Sequence, residues 1–479
     1  MKLTKAEVLS EKEIKMIDDA SMEILEEAGI KVYSSKIMEI YKKAGAIVDN
    51  DNMIVKIPAK LTKKCLDLAP SQYKLYSRDR DSFLEFGKNL GYCASGHNAI
   101  YMIDEKTYER RPVKKEEVGN FAKISDALKN IHIVGIQAMP QDVPARASIL
   151  HALDAVFNNT TKHVFFSPEN VDETEALIEI VKIVSEEEYP GKEPVAICQL
   201  SPISPLTWSH GTSEAVYEIS KSGIPLCFLP QPYSGVTAPI TLAGTLTINN
   251  TEILSGLVLS QIVNEGCPVI YGAAWTTFEM SKGTVLIGTP ERCVLSVAGA
   301  QMANHYNIPS HCISFDTDAN LYDEQNGFEK IFNTIANLQS GVNLLMNAGM
   351  FSTGFDVSYE QLVIDHEIAT FAYRYIDGMT VNEDTIAKDV IKKVGQHKDF
   401  MMEPHTLKYM RTGEHTSYSV SNREVYEIWK NAGKPSITDN ARKVAKEILA
   451  YHKPKPLSEV KKQKIASIIS SFEKRYAQK

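Results

Sequence analysis

The residues most able to do chemistry are aromatic and fall at or just beyond the ends of short apolar runs. They are Phe228, Tyr233, Tyr271, Trp275, Phe278, Phe315, Phe351 and Phe355, with Trp208 after an earlier run and Tyr101 in the first. Ring faces around a desolvated pocket hold a quaternary ammonium by cation–π attraction, about 2 kcal/mol per contact. A cage needs only a few of them, and the rest are expected to be packing residues. Carboxylates crowd the segment F-D-T-D-A-N-L-Y-D-E: Asp316, Asp318, Asp323 and Glu324. They offer a cation site or an acid–base pair, or else an acidic loop whose Asp323 starts a helix. His311 and Cys312 are neighbours in an apolar run, so a strand sends them to opposite faces and disfavours a zinc pair. No G-x-x-x-x-G-K-[ST], no G-x-G-x-x-G after a strand and no H-E-x-x-H is present.

These residues need a scaffold that gathers loop ends. Strand-like runs lie at 92–103, 132–138, 163–166, 195–200, 225–229, 268–271, 310–315 and 342–346. Helical patterns lie at 114–128, 145–157, 171–185, 212–221, 248–263, 291–306, 327–338 and 359–375. Eight strand–helix pairs predict an α/β fold, a (βα)8 TIM barrel whose strand ends share one rim. A doubly wound open sheet uses the same units but more often stops at five or six strands. The long loops after strands five to eight are expected to shape the mouth. Flanking this barrel (91–376) are a mostly helical N-terminal region (1–90), with short strands at 46–48 and 53–57, and a helical C-terminal extension (377–479) suited to oligomer or partner contacts.

A chain of 479 residues that is 43% hydrophobic can bury a large core. Its net charge of -8 argues against nucleic acid or anionic membrane as partner. The charged first fifteen residues carry no apolar signal segment, and no run is long enough to span a membrane, so cytoplasmic work is expected. Seven scattered cysteines with no C-x-x-C read as buried thiols, not as a disulfide framework.

Four blocks carry more than composition does: G-V-T-A-P-I-T-L-A-G-T-L (235–246), N-T-E-I-L-S-G-L-V-L-S-Q (250–261), P-V-I-Y-G (268–272) and S-Y-E-Q-L-V-I-D-H-E-I (358–368). With S-P-I-S-P-L and Y-D-E-Q-N-G-F-E-K, they resemble the trimethylamine methyltransferase family. The resemblance implies a barrel that passes a methyl group from an amine to the Co(I) corrinoid (cobalamin) of a cognate corrinoid protein. The trimethylamine enzymes carry pyrrolysine and this chain does not. It therefore resembles the branch that demethylates quaternary amines such as glycine betaine, proline betaine, carnitine or γ-butyrobetaine. A quaternary nitrogen leaves as a neutral amine, so no general acid is required and no metal bound by the chain itself is expected.

On that reading, Tyr101, Tyr233, Trp275, Phe315, Phe351 and Phe355 are candidates to cage the ammonium. His97, His311 and Asn347 are candidates for the carboxylate end, with Gln231 and Asn320 as further donors. Gln231, Gly235, Thr237, Asp316 and Asn320 are the candidates to meet the partner's corrinoid. A zinc-dependent methyltransferase with a thiol acceptor, a non-catalytic betaine-binding barrel and a homo-oligomer all stay open.

Overall fold

The apolar runs are strands covered on both faces, which is why segments such as His163–Phe166 and Ala196–Leu200 are buried at every position. The computed structural model describes residues 5–88, 90–410, 412 and 414–476. Its centre is eight strands: β1 (Tyr92–Ser95), β2 (Ile133–Gly135), β3 (His163–Phe166), β4 (Ala196–Leu200), β5 (Leu226–Phe228), β6 (Val269–Tyr271), β7 (His311–Ile313) and β8 (Leu344–Ala348). They pair in parallel in the order 6-5-4-3-2-1-8-7. Tyr271 bridges to Ser310, and its N–H donates to Pro309 O at 2.8 Å, which closes β6 on β7. The fold is a (βα)8 barrel.

Each strand is followed by a covering helix: α1 (Lys115–Ala127), α2 (Ser148–Asn159), α3 (Val171–Ser185), α4 (His210–Ser222), α5 (Leu242–Val263), α6 (Pro290–His305), α7 (Glu324–Ser340) and α8 (Tyr359–Asp377). Local chemistry sets their starts. The side chains of Asn170, Ser209, Thr241, Asp323 and Ser358 each accept a first-turn N–H, at α3, α4, α5, α7 and α8 respectively. Asp323 is thus a cap rather than a ligand. Helix α5 is buried nearly all round, between the barrel and the N-terminal helices. Its polar residues are therefore internal ties: Asn250 donates to Ser21 Oγ and Tyr306 Oη, and Glu252 accepts from Ser204 and Leu206.

Two segments differ from what the sequence suggests. The run 92–103 is two strands, because the chain turns at Asn98 (φ 58°) and Tyr101–Ile103 joins a separate sheet with Arg110–Pro112 and Asp356–Val357. The N-terminal region holds helices Glu11–Glu27, Ser35–Lys43 and Ala59–Leu68 and short strands Ile47–Asp49 and Ile54–Lys56, but also an unforeseen hairpin, Tyr73–Tyr76 with Phe83–Phe86. Its Leu75 and Phe86, with Tyr73 and Leu84, pack against the inward residues Ala94, Ile133, Phe165, Ile197, Cys227, Ile270, Leu344 and Met346. The hairpin plugs the barrel at the end where the strands begin.

The last two helices, Ile437–Tyr451 and Glu459–Tyr476, return to the barrel. Arg442 pairs with Glu360 of α8 at 2.9 Å, and Ile465, Ile469 and Phe472 are buried in the main core. Among the described residues, no helix is long and apolar enough to cross a membrane.

Candidate active site

Above the plug, alternate residues of the strands line the upper barrel. Phe165 of β3 lies nearly parallel to His311 of β7, ring centroids 6.3 Å apart at 13°, and His97 meets the same phenyl edge-on at 5.5 Å. Two irregularities turn polar groups toward this floor. Ser314 and Phe315 both donate to Met346 O at 3.1 Å, which breaks the alternation after β7. The β8 register shifts between Leu345 and Ala348, where Asn347 adopts φ 80°. As a result Asp316 and Asn347 meet, and Asn347 Nδ2 donates to Asp316 Oδ2 at 2.9 Å.

The other end of the Asn347 amide faces His97 Nδ1 at 3.1 Å. A carboxylate accepts only, so Asn347 presents Oδ1 to the ring, His97 carries its proton on Nδ1, and Nε2 keeps a lone pair. Burial pulls the His97 pKa down to about 4, against the opposing bonds from Asn347 and Gln199. Burial likewise holds His311 well below its usual value, and neither of its ring nitrogens bonds to another residue. Both imidazoles are neutral at pH 7. Asp316 is raised by burial, while the Arg292 guanidinium and the Asn347 amide act to keep it ionised.

Arg292, in the first turn of α6, is 1% exposed. Where β6 and β7 separate above the Tyr271–Ser310 bridge, its Nη1 donates to Ile313 O at 2.9 Å and its Nε to Trp275 O at 3.3 Å. Its Nη2 and Asp316 Oδ1 have no hydrogen-bond partner. Around them, Lys330 and Asp365 form a fully buried ion pair of 2.7 Å, and Asp365 also accepts from Gly349 N. That pair fixes the loop after β8.

The expected cage is only partly at the mouth. Trp275 is a correction: Ala274 faces inward, so the indole points out and packs on Gly299 of α6. Phe315 is another, because the break after β7 sends its ring into the outer core. Phe351 is 1% exposed and packs on Tyr322 at 5.4 Å. Trp208 donates to Ser255 Oγ, Phe228 lies against Gly256, and Tyr271 Oη donates to Asn250 Oδ1, so all three are packing residues. Tyr101, Tyr233 and Phe278 are partly buried on the rim, and Phe355 is 50% exposed there.

Of the residues expected to meet a partner's cofactor, Gln231 and Asn320 are exposed on the rim. Thr237 Oγ1 accepts from Tyr233 N within a turn whose Gly235 stands at φ 87°. Asp316 is the correction here, since it is buried beneath the rim and tied to Asn347. His311 and Cys312 do part: the thiol bonds outward to Ser296 Oγ of α6. Among the described residues, no three His, Cys, Asp or Glu side chains converge on a metal position. Phe165, Gln199 and Arg292 escaped the sequence reading. Arg292 had a signal, since it is a lone cation placed directly before the small and apolar run C-V-L-S-V-A-G-A in a helix opened by Pro290.

The architecture is that of a (βα)8 barrel, a fold whose enzymes carry their sites at the C-terminal mouth. The monomethylamine methyltransferase MtmB of Methanosarcina barkeri shares the fold, with a TM-score of 0.50 over 93% of this chain and 96% of that one at 13% identity. The sequence profile of trimethylamine methyltransferase (MTTB) matches residues 1–477, and the chain belongs to that family of methyltransferases. It is 33% identical over 433 residues to the trimethylamine methyltransferase MttB of Desulfitobacterium hafniense DCB-2, covering 90% of this chain and 87% of that one. It is 31% identical over 412 residues to the glycine betaine methyltransferase of D. hafniense Y51, covering 84% of each.

Proposed function

We propose that this methyltransferase takes a methyl group from a quaternary ammonium betaine and delivers it to the Co(I) corrinoid of a partner protein. The observation that carries the reading is the floor of the mouth, where His97, Phe165 and His311 present three uncharged rings. Uncharged rings tolerate an ammonium that an imidazolium would repel. A quaternary amine departs without taking up a proton, so neutral histidines that donate none suit it. The relation to a named glycine betaine methyltransferase supports the same substrate class.

On this reading the partner's corrinoid supplies the nucleophile, and the barrel supplies position and dryness. The three rings set the depth of the ammonium, while Asn347 locks the orientation of His97. Tyr101, Tyr233 and Phe355 close over the substrate from the rim, where Gln231 and Asn320 face the docking partner.

The test is methyl transfer to free Co(I) cobalamin, or to a reduced cognate corrinoid protein, followed by the spectral change to methylcobalamin. Glycine betaine, proline betaine, carnitine, γ-butyrobetaine and trimethylamine form the panel. Turnover with a quaternary amine and none with trimethylamine is expected. No turnover, or transfer to a thiol by protein holding stoichiometric zinc, would overturn the reading.

A further inference from the structure

The mouth holds two opposite charges that are buried, near one another and not hydrogen-bonded together. Arg292 lowers the pKa of Asp316 through space, yet its own hydrogen bonds go to the carbonyls of Trp275 and Ile313. Asp316 gives one oxygen to Asn347. Arg292 Nη2 is left with donors to spare, and Asp316 Oδ1 with lone pairs to spare, at 1% and 3% exposure.

A buried ionic group with unused hydrogen-bonding capacity is costly, and a structural pair of this kind would bond directly. Here Asp316 bonds to Asn347 and Arg292 to the carbonyls of Trp275 and Ile313, so the two charges are not bonded to each other. A ligand carrying both signs of charge answers both groups at once: its carboxylate accepts from Arg292 Nη2, and its ammonium, which has no N–H to donate, balances the Asp316 charge by Coulomb attraction.

We infer that Arg292 and Asp316 form a zwitterion clamp, in which Asp316 faces the quaternary ammonium and Arg292 Nη2 binds the carboxylate of the same molecule. The inference rests on the proposed substrate class and adds the groups that select within it. The anionic end then belongs to Arg292 rather than to His97, His311 or Asn347, of which the first and last are committed to each other. The clamp favours amines with a carboxylate over equally methylated amines without one.

Calorimetric titration of the purified chain with glycine betaine and with choline tests this, because the two share a trimethylammonium head and differ in the anionic end. The wild type is expected to bind glycine betaine at least about tenfold more tightly, the worth of one charge-assisted hydrogen bond. Arg292→Gln weakens glycine betaine by about tenfold or more and leaves choline nearly unchanged, Arg292→Lys recovers part of the loss, and Asp316→Asn weakens both ligands. If Arg292→Gln does not fold, Arg292→Lys and Asp316→Asn carry the comparison alone. Equal wild-type affinity for the two ligands, no binding of either, or equal losses of both on changing Arg292 would overturn the clamp. No corrinoid is present, so a failure of methyl transfer with selective binding intact would count against the proposed reaction and not against the clamp.

Discussion

Asn347 donates to Asp316 across 2.9 Å from a backbone at φ 80°, a conformation that asparagine tolerates better than alanine does. The same amide orients His97, so one strained residue sets both the acid and the imidazole. On the proposed reaction, Asn347→Ala and Asn347→Gly should each lower kcat/KM for the quaternary amine by about tenfold or more, through loss of the relay. The alanine variant should be less stable than the glycine variant by about 1 kcal/mol, because only alanine retains the backbone strain. Chemical denaturation and steady-state kinetics on both variants check this. Equal stability of the two would remove strain from the account.

The base of the barrel holds three more neutral imidazoles, His132, His163 and His366, each pulled down to about 4 chiefly by burial. With His97 they set a direction. The unfolded chain takes up these protons near pH 6.5 and the folded chain only near pH 4, so the unfolded state binds more protons in between. Their contribution to stability is complete above pH 6.5 and is lost as the pH falls toward 4. Urea midpoints measured across that window should fall steadily, and His163→Asn should flatten the slope. A constant midpoint would show that these rings are protonated in the fold.

Lys330 and Asp365, both with side chains of 0% exposure, depend on each other. Lys330→Met alone leaves a buried carboxylate facing Gly349 N and Gln361 and should cost about 3–5 kcal/mol. The double change Lys330→Met with Asp365→Asn should recover most of that. Because Lys330 also holds Met350 O, the single variant should lose activity through displacement of the loop after β8. A single variant as stable as the wild type would refute the coupling.

Phe86 stacks on Tyr73 at 4.9 Å inside the strand-start end of the barrel. Phe86→Ala should cost about 3–5 kcal/mol in denaturant titrations, the loss for a large aromatic removed from a packed core. A change under about 1 kcal/mol would mean that the hairpin is a surface ornament and not part of the core.

The eight strand–helix pairs are legible because short apolar runs alternate with helical patterns at regular spacing, and side-chain caps such as Asp323 mark the starts. The parting of His311 and Cys312 follows from strand alternation in the same way. What stays hidden is where alternation breaks. Nothing in S-F-D or M-N-A announces that Phe315 turns outward while Asp316 and Asn347 turn inward, since the bulges arise from how β7 and β8 fit each other. Arg292 stands out in the sequence only as a cation beside an apolar run, and its place between the ends of β6 and β7 shows only in the fold. The hairpin was more accessible, as Y-K-L-Y and F-L-E-F alternate about a polar turn.

A barrel stoppered by Tyr73, Leu75, Leu84 and Phe86 is closed at its strand-start end and leaves the opposite mouth as the doorway among the described residues. On the proposed reaction, amine, demethylated product and corrinoid partner must all use it, so traffic is sequential. The amine enters before the partner seals the opening, and the product stays trapped until the partner withdraws. Turnover would then follow a compulsory order, with excess corrinoid protein slowing the enzyme by blocking the next amine, a kinetic signature set by masonry at the far end of the molecule.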